Sequence, residues 1–139
     1  MIDNDVVQAA ILAQTQSEPT ITALLPEGTA GIKELNWKGT DFKYPCIRIG
    51  LESQTDLMEV NSSCPSQEDF SFYIFSETAS SKEANQIAGK VVSAFRGFAF
   101  AKNNVKFVKI RITENIPAIA QDARLWRAQV RCQSIIHST

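Results

Sequence analysis

The clearest alternation of apolar and polar positions lies within residues 69–97. Phe70, Phe72 and Ile74 occur at every second position, so the spacing predicts a strand that presents them on one face. Apolar residues at helical spacing then form one continuous stripe, which consists of Ala84, Ile87, Ala88, Val91 and Phe95. An amphipathic helix buries such a stripe against another element, and the preceding strand supplies a sheet face for it. The pattern predicts a strand followed by one major helix over about residues 80–96.

Both ends of this helix carry local signals. Ser80 and Glu83 have the spacing of a capping box, in which each side chain accepts a hydrogen bond from a backbone N–H group of the first turn. Gly97 follows the last apolar position, where a helix end favours a residue that tolerates a positive φ. We therefore expect the helix to begin with the capping box and to end before Gly97.

Two helices are predicted before the first strand. The first covers residues 3–16, with Asp3 as its N-cap. Its apolar stripe contains Val7, Ala10 and Ile11, with Val6 and Ala13 beside them. A second, short helix begins at Pro19, because proline suits the first helical position. Its apolar anchors are Ile21, Leu24 and Leu25.

The N-terminal part of the sheet is predicted from two runs. Residues 31–37 form a short strand, and residues 46–51 form a second strand that begins directly after Pro45, which cannot donate to a strand ladder. Residues 52–68 are rich in polar side chains, and we expect a long hairpin or loop there with a mobile tip. Two interpretations of this segment are open. In the first, the segment is functional or is ordered by a partner, and in the second it is a solvated loop without a role.

The C-terminal part of the chain predicts two longer strands. Residues 105–114 alternate cleanly, and residues 115–117 are expected to break that strand. One face of it contains Phe107, Lys109 and Arg111, and the other contains Val108, Ile110 and Ile112. A last strand covers residues 122–136. Its apolar face contains Trp126, Ala128, Val130 and Cys132.

These elements predict an α+β fold with a mostly antiparallel sheet. The major helix and the N-terminal helix pack on one face of the sheet. The other face is polar enough to meet water or a neighbouring subunit, because it carries Arg48, Ser71, Arg127 and Arg131. A length of 139 residues, without an internal repeat or a dividing linker, indicates a single domain that spans the chain.

Charge is distributed unevenly, although the net charge is only −1. Residues 1–83 contain 13 acidic and 5 basic residues, a balance of −8, whereas residues 84–139 contain 2 acidic and 9 basic residues, a balance of +7. Three explanations are open: the halves neutralise each other within one fold, a basic face binds nucleic acid, or an acidic patch on one copy meets a basic patch on the next. With neither a membrane-spanning run nor a signal peptide, we expect synthesis and use in a cytoplasm.

Candidate catalytic chemistry is sparse. The cysteines are Cys46, Cys64 and Cys132, and they lie far apart. Because zinc ligands need close spacing and His137 is the single histidine, no metal site is expected. Four carboxylates lie in or beside the polar segment, namely Asp56, Glu59, Glu68 and Asp69. A solvated loop provides neither the burial nor the close apposition that shifts a carboxyl pKa, so we expect no catalytic residue, no cofactor and no enzymatic activity.

A basic run with aromatic neighbours is the main competing signal. Its charged members are Arg96, Lys102, Lys106, Lys109 and Arg111, and the interleaved aromatic residues are Phe98, Phe100 and Phe107. Basic and aromatic groups together suit single-stranded nucleic acid, through phosphate contacts and base stacking. The same residues are explained by a solvated strand face above core phenylalanines. We favour the second explanation, because the chain is acidic on balance and contains no recognised nucleic-acid motif.

Three features occur together along the chain. An N-terminal helix precedes a strand led by Tyr44 and Pro45, an aromatic strand over residues 70–75 feeds the helix at residues 80–96, and a long strand over residues 124–136 follows. In this combination, and in its size, the chain resembles the tail terminator, or tail completion, proteins of tailed bacteriophages. The likeness spans nearly the whole chain and rests on a pattern of elements.

The resemblance implies a non-enzymatic structural protein of the virion tail or neck, assembled in the host cytoplasm. Members of that family form a homohexameric ring that ends growth of the tail tube and joins it to the head connector or stopper protein, while DNA passes through the lumen without specific binding. Another neck protein, for head closure or head-tail connection, is the alternative. No family motif assigns interface residues, so the candidates are charged residues: Asp56, Glu59, Glu68, Lys102, Lys106, Lys109, Arg111, Arg127 and Arg131.

Overall fold

A computed structural model describes residues 2–57 and 65–139 of the protein. Within these residues the helices are α1 (Asn4–Gln16), α2 (Pro19–Thr22) and α3 (Lys82–Phe95), and a 3-10 turn covers Gly28–Gly31. The strands are β1 (Ile32–Glu34), β2 (Cys46–Asp56), β3 (Ser66–Glu77), β4 (Phe100–Lys102), β5 (Val105–Phe107), β6 (Arg111–Ala120) and β7 (Leu125–Ser138).

The strands of the described residues form one sheet in the order β1-β2-β3-β7-β5-β4, and β6 pairs with β7 beside β5. β1 and β2 are parallel, whereas the other neighbours are antiparallel. β7 joins the two halves of the sheet, because one of its edges pairs with β3 and the other pairs with β6 and β5. The predicted α+β class with a mostly antiparallel sheet is confirmed.

The inner face of the sheet packs against α3 through the residues that the alternation predicts. Phe70, Phe72 and Ile74 are fully buried, and the ring centroids of Phe72 and Phe95 lie 4.9 Å apart. Every predicted member of the helix stripe is buried, namely Ala84, Ile87, Ala88, Val91 and Phe95. Burial of one large apolar side chain contributes roughly 1.5–3 kcal/mol. This packing fixes α3 on β3 and β7 and leaves the outer face of the sheet for other contacts.

The N-terminal helices extend the same core. Val7, Ala10 and Ile11 are buried, as the first stripe predicts. Ile21 and Leu25 are buried as well, which confirms them as anchors of the second helical segment. Leu24 is 40% exposed, so its predicted anchoring role is wrong. The reason is that α2 ends at Thr22 and Leu24 lies in the turn that follows.

The polar segment over residues 52–68 is partly strand. β2 runs to Asp56 and β3 begins at Ser66, and these two residues pair in the antiparallel register. β2 and β3 therefore pair as far as these two residues, and backbone pairing overrides the polar composition there. The predicted mobile tip, together with Glu59 and Cys64, lies outside the described residues.

The start of α3 differs from the predicted capping box. Ser81 is the N-cap residue, and its side chain makes no capping hydrogen bond. The Glu83 carboxylate accepts a hydrogen bond from the Ser76 hydroxyl at 2.6 Å, which places it toward β3. The Ser80 hydroxyl accepts a hydrogen bond from the N–H of Lys82 at 3.3 Å. The prediction is wrong because the buried end of β3 competes for the Glu83 carboxylate.

The strand predicted over residues 105–114 is interrupted. β5 ends at Phe107, and β6 begins four residues later. The N–H of Ile110 donates to the carbonyl oxygen of Phe98 at 2.8 Å, which draws the chain toward the end of α3. Phe107 and Ile110 are consequently both buried, while Lys109 is exposed. The predicted assignment of Phe107 and Lys109 to one face is therefore wrong.

β6 continues through the predicted break. It spans Arg111–Ala120, and Pro117 lies where the pairing with β7 shifts register, between Ile116 and Ile119. Proline fits an irregularity on an edge strand, because no ladder hydrogen bond is required of its nitrogen there. The prediction that residues 115–117 end the strand is wrong.

β7 confirms the predicted last strand and its apolar face. It begins at Leu125 and not at residue 122, because the Asp122 carboxylate accepts hydrogen bonds from the N–H groups of Arg124 and Leu125 in a turn. Ala128, Val130 and Cys132 are buried on the inner face. Half-buried Trp126 donates its indole N–H to the carbonyl oxygen of Thr78 at 3.2 Å.

Candidate interaction surface

The outer face of the sheet points away from the core and carries the predicted polar residues. Arg48 pairs with Tyr73, and Ser71 pairs with Arg131, so these residues share one face. Arg127 lies on it four residues before Arg131 on the same strand. Arg48 and Ser71 are nevertheless buried, whereas Arg127 and Arg131 are half-buried. The open part of this face is therefore formed mainly by β7 and β6.

An ion network joins three strands across the outer face. Arg131 of β7 bonds to Glu52 of β2 at 3.1 Å and to Glu114 of β6 at 2.9 Å. On the intervening strand β3, the Ser71 hydroxyl donates a hydrogen bond to Glu52. The hydrogen bond and the charge of Glu52 raise the pKa of the Arg131 guanidinium, and Glu114 adds to the effect. Because carboxylates approach from both sides, Arg131 is held in one orientation.

Amide side chains order the rest of the outer face. Gln129 donates to the Tyr73 hydroxyl at 3.3 Å, and Gln133 donates to the Asp69 carboxylate at 3.0 Å. The Arg127 guanidinium lies 5.7 Å from the centroid of the Tyr73 ring. These contacts hold polar groups in place before any partner binds, which lowers the entropic cost of forming an interface.

Arg48 lines a small cavity of about 210 Å³ at the start of β2. Its guanidinium lies 5.1 Å from the Trp37 ring centroid and 5.2 Å from that of Phe42. Nη1 donates to the carbonyl oxygens of Gly31 at 3.1 Å and Ile47 at 2.9 Å. Arg48 thus fastens the segment after β1 to the sheet through cation–π contacts and hydrogen bonds.

β6 forms an open edge of the sheet. One side pairs with β7, and the other side pairs with no strand of residues 2–57 and 65–139. Most of its side chains are exposed, and Ile119 is 53% exposed. The N–H of Ala118 is bonded to the side-chain oxygen of Asn85 in α3 at 2.8 Å. An edge strand of this length is a template for pairing with another chain.

Glu68 is placed very differently from the sequence expectation. It lies on the inner face, two residues before Phe70, and is fully buried. Within the described part of the chain, neither its carboxylate oxygens nor the neighbouring Ser66 hydroxyl has a hydrogen-bond partner. Burial raises the pKa of Glu68 to about 8, and the charge of Asp69 adds to the effect. The expectation of a solvated carboxylate with an ordinary pKa is wrong for Glu68.

Part of the predicted basic run is gathered beside the end of α3. The N–H of Gly97 donates to the carbonyl oxygen of Ile110 at 2.8 Å, which holds the helix end against the start of β6. A groove of about 740 Å³ lies between them. Its charged lining residues are Arg96, Lys109 and Arg111.

The rest of the basic run does not form a stacking surface. Phe107 is fully buried, Phe100 is 8% exposed, and their rings stack with centroids 4.4 Å apart. Phe98 is half-buried beside them. These rings face the core, so the favoured explanation of core phenylalanines is confirmed. Lys102 and Lys106 lie apart from the groove, on the β4–β5 hairpin.

Asp56, the remaining acidic candidate within the described residues, lies at the end of β2. It is exposed there, two residues after Gln54 on the same side of the strand. The Gln54 amide accepts a hydrogen bond from the N–H of Ile2 at 3.0 Å and donates to the carbonyl oxygen of Ile2 at 2.8 Å. The start of α1 is thereby held beside the end of β2.

Sequence reasoning missed the two acidic partners of Arg131 and the burial of Glu68. The signal for Glu68 was present, because it continues the alternation of Phe70 and Phe72 toward the N-terminus. The position of Glu114 had no such signal. A register shift between Ile112 and Glu114 turns its side chain to the outer face, against simple alternation.

Residues 2–57 and 65–139 offer neither a cluster of metal ligands nor a membrane-spanning helix. No group of three or more His, Cys, Asp or Glu side chains there is placed to hold a metal ion. Burial raises the pKa of the Cys132 thiol to about 12 and also raises that of Cys46, which disfavours a reactive thiolate at either position. No helix in that part of the chain has the length and apolar character needed to cross a bilayer.

Comparison with known proteins identifies one family and several solved structures with a similar fold. A family model described as Tail completion protein gp17 matches residues 9–137. A chain from the virion of a native gene transfer agent particle is similar at a TM-score of 0.72 and 15% identity, covering 98% of this chain and 100% of that one. A second solved chain, whose description states no function, has a TM-score of 0.57 and 14% identity, covering 100% of this chain and 97% of that one. No curated protein sequence matches significantly.

Proposed function

The chain belongs to the tail completion protein family of tailed bacteriophages, and from this premise we propose that it forms a homohexameric ring at the head-tail neck of the virion. The ring ends growth of the tail tube and joins the tail to the head connector or stopper protein. DNA passes through its lumen without specific binding. Assembly takes place in the host cytoplasm.

Family membership makes this chain a structural protein of the virion tail or neck. Its role is therefore to be sought in its contacts with other copies and with other tail components. A ring also requires a surface through which one copy recognises the next.

The open edge of β6 is the observation that carries the ring proposal. A strand of ten residues leaves one edge without a strand partner in the described chain. Pairing with an adjacent copy would satisfy that edge, cover exposed Ile119 and remove an aggregation hazard. A contact between two different surfaces of the same chain closes into a ring when its rotation permits.

The charges of the outer face support a lumen that does not retain DNA. Arg131, at the centre of that face, is neutralised by Glu52 and Glu114. Non-specific affinity for DNA requires many uncompensated cations, since each phosphate contact releases counterions. A net charge of −1 for the chain agrees with passage of DNA without binding.

Native mass spectrometry and negative-stain electron microscopy, with and without polymerised tail tube protein, test the proposal. We expect a six-copy species, rings at tube ends and tubes that stop elongating. Ile119→Lys should weaken ring formation without unfolding the chain, because Ile119 is 53% exposed. Leu24→Lys, at a 40% exposed position outside β6, is the matched control. A chain that stays monomeric in the presence of tail tubes contradicts the ring.

A head-closure or head-tail connector protein of the same neck is the alternative. The two roles differ in what the ring binds first. A tail completion protein should cap isolated tail tubes in the absence of heads, whereas a head-closure protein should bind DNA-filled heads in the absence of tails. Sedimentation of the purified chain with each particle separates these outcomes.

A further inference from the structure

A basic patch with apolar neighbours lies where α3, the β5–β6 connection and β7 meet. We define the basic patch as Arg96, Val108, Lys109, Arg111 and Ile135. The three cations are exposed, and Val108 and Ile135 are 43% and 44% exposed. The N–H of Val108 donates to the carbonyl oxygen of Ile135 at 3.0 Å, so the two apolar side chains belong to adjoining segments. Apolar groups beside arginine are typical of interface centres.

The cations of the basic patch have no acidic partner in the described part of the chain. Both ion pairs found there belong to Arg131. Lys109 and Arg111 line the groove that they share with Arg96 and also a smaller one of about 190 Å³ on their other side. Like charges held together repel one another, so an acidic surface brought against them gains Coulomb energy.

An acidic end is located elsewhere on the molecule. The contacts between Gln54 and Ile2 hold the start of α1 beside the end of β2. We define the acidic end as Asp3, Asp5 and Asp56, which are all exposed. β2 and β6 are separated in the sheet by β3 and β7. The acidic end and the basic patch therefore belong to different edges of the sheet.

We infer that the basic patch of one copy binds the acidic end of the next copy. This rests on the ring proposed above and names the surfaces that join its neighbours. Each copy carries one surface of each sign, which is the arrangement that a head-to-tail contact requires. The charges provide orientation and specificity, and burial of Val108 and Ile135 provides apolar contact area.

Nucleic acid is the other polyanion that three cations attract. Phe100 and Phe107 are turned into the core and Phe98 is half-buried, so the basic run presents no open row of rings on which bases could stack. Charge complementarity within the same chain favours a second copy as the partner. Binding of DNA is retained as an outcome of the test.

Reciprocal charge reversal tests this contact. One variant carries Lys109→Glu and Arg111→Glu, and the other carries Asp3→Lys and Asp5→Lys. Each variant alone places like charges across every contact, and its association should weaken by roughly tenfold or more. An equimolar mixture restores opposite charges at each contact and should recover ring assembly. The control variant, Lys38→Glu with Lys43→Glu, reverses two exposed charges outside both surfaces and should assemble normally.

Folding of the variants is checked first by circular dichroism and thermal melting. All four altered residues are exposed and Asp3 makes no side-chain cap hydrogen bond, so native circular dichroism spectra are expected. Asp3→Lys with Asp5→Lys should melt at a slightly lower temperature, because cations at the start of α1 oppose the helix dipole. Native mass spectrometry at low and high salt then measures assembly. Unmodified rings should dissociate more readily at high salt, because surface charge attraction is screened.

The outcomes distinguish the contact from the ring itself. Normal rings formed by both reversed variants would overturn the assigned surfaces and leave the ring proposal standing. Loss of rings in each variant without recovery in the mixture would also overturn the pairing. Unmodified protein that never associates, even with tail tubes, contradicts the ring and the contact together. Reversal that abolishes binding of single-stranded DNA while rings persist assigns the basic patch to nucleic acid.

Discussion

Arg131 of β7 and Glu52 of β2 form an ion pair at 3.1 Å across the intervening strand β3. A register shift between Leu51 and Ser53 accompanies this arrangement at Glu52. The ion pair ties together two strands that share no backbone hydrogen bonds. Side-chain contacts on the outer face therefore connect the strands in addition to the backbone hydrogen bonds between neighbouring strands.

Replacement of Arg131 by Met should destabilise the fold only slightly. Its side chain is 41% exposed, and ion pairs in contact with solvent contribute little to stability because water and salt screen them. Urea denaturation at low and high salt measures the change, which should shrink at high salt. Arg124→Met, at an exposed position in the turn before β7, is the control and should be neutral. A large loss of unfolding free energy in Arg131→Met would instead indicate that the ion network holds the sheet together.

Replacement of Glu68 by Gln should stabilise the fold, and more so at high pH. The folded pKa of Glu68 is raised to about 8 from an ordinary value of 4.5. Below the pKa of Glu68 in the unfolded chain, the carboxyl is protonated in both the folded and the unfolded state. Burial of a charged carboxylate then costs no stability. As the pH rises toward the folded value, the unfolded state loses the proton first, and stability of the unmodified protein falls. Above that value the loss levels off.

Thermal melting at pH 5, 7 and 9 measures this effect. The gain from Glu68→Gln should be small at pH 5 and reach a few kcal/mol at pH 9, because each unit by which the folded pKa is raised corresponds to about 1.4 kcal/mol. Glu77→Gln, at an exposed position on the same strand, should give no such pH dependence. A gain that is equal at all three pH values would contradict a buried, protonated Glu68.

Two glycines of the α3 region should respond oppositely to alanine. Gly97 has φ +72, and Gly97→Ala should destabilise by roughly 1–2 kcal/mol, the cost of the left-handed conformation for a residue with a Cβ. Gly89 lies inside α3 with open space around its Cβ position, so Gly89→Ala should stabilise by about 1 kcal/mol. Melting temperatures of the two variants provide the comparison. Shifts in the same direction would contradict the assigned end of α3.

Truncation of Phe95 tests the packing of α3 on the sheet. Its ring is fully buried and contacts the rings of Phe72, Phe98 and Phe100. Phe95→Ala should destabilise by about 3–5 kcal/mol, through lost burial and the cavity that remains. Ser93→Ala, on the exposed side of the same helix, is the control for urea denaturation. A cost below 1 kcal/mol would mean that the core collapses to fill the site.

The sequence predicts those helices and strands in which apolar residues recur at regular spacing because one face of the element is buried. Phe70, Phe72 and Ile74 alternate because one side of β3 faces the core, and the spacing of the α3 stripe has the same cause. These signals are local and strong, since a single misplaced apolar residue is costly. The class of fold and the polar outer face follow from them.

The missed features depend on partners that are distant in sequence. The Ser76 hydroxyl donates a hydrogen bond to the Glu83 carboxylate, which the capping box would have placed on the backbone at the start of α3. β6 passes through Pro117 because β7 continues to pair on both sides of the irregularity. Such tertiary contacts leave no period in a single sequence. For the interaction surface, the sequence showed the uneven distribution of charge. That Arg96 and Arg111 line one groove could be learned only from the three-dimensional structure.

The central place of β7 has a consequence for synthesis. A ribosome makes the chain from its N-terminus, so β3 and β6 emerge before the strand that pairs with both of them. Until then the nascent polypeptide has two unfinished half-sheets, each with hydrogen-bonding groups exposed to its neighbours on the polysome. Completion of this sheet therefore waits until β7 has been synthesised, and shielding by a chaperone is most valuable in that interval.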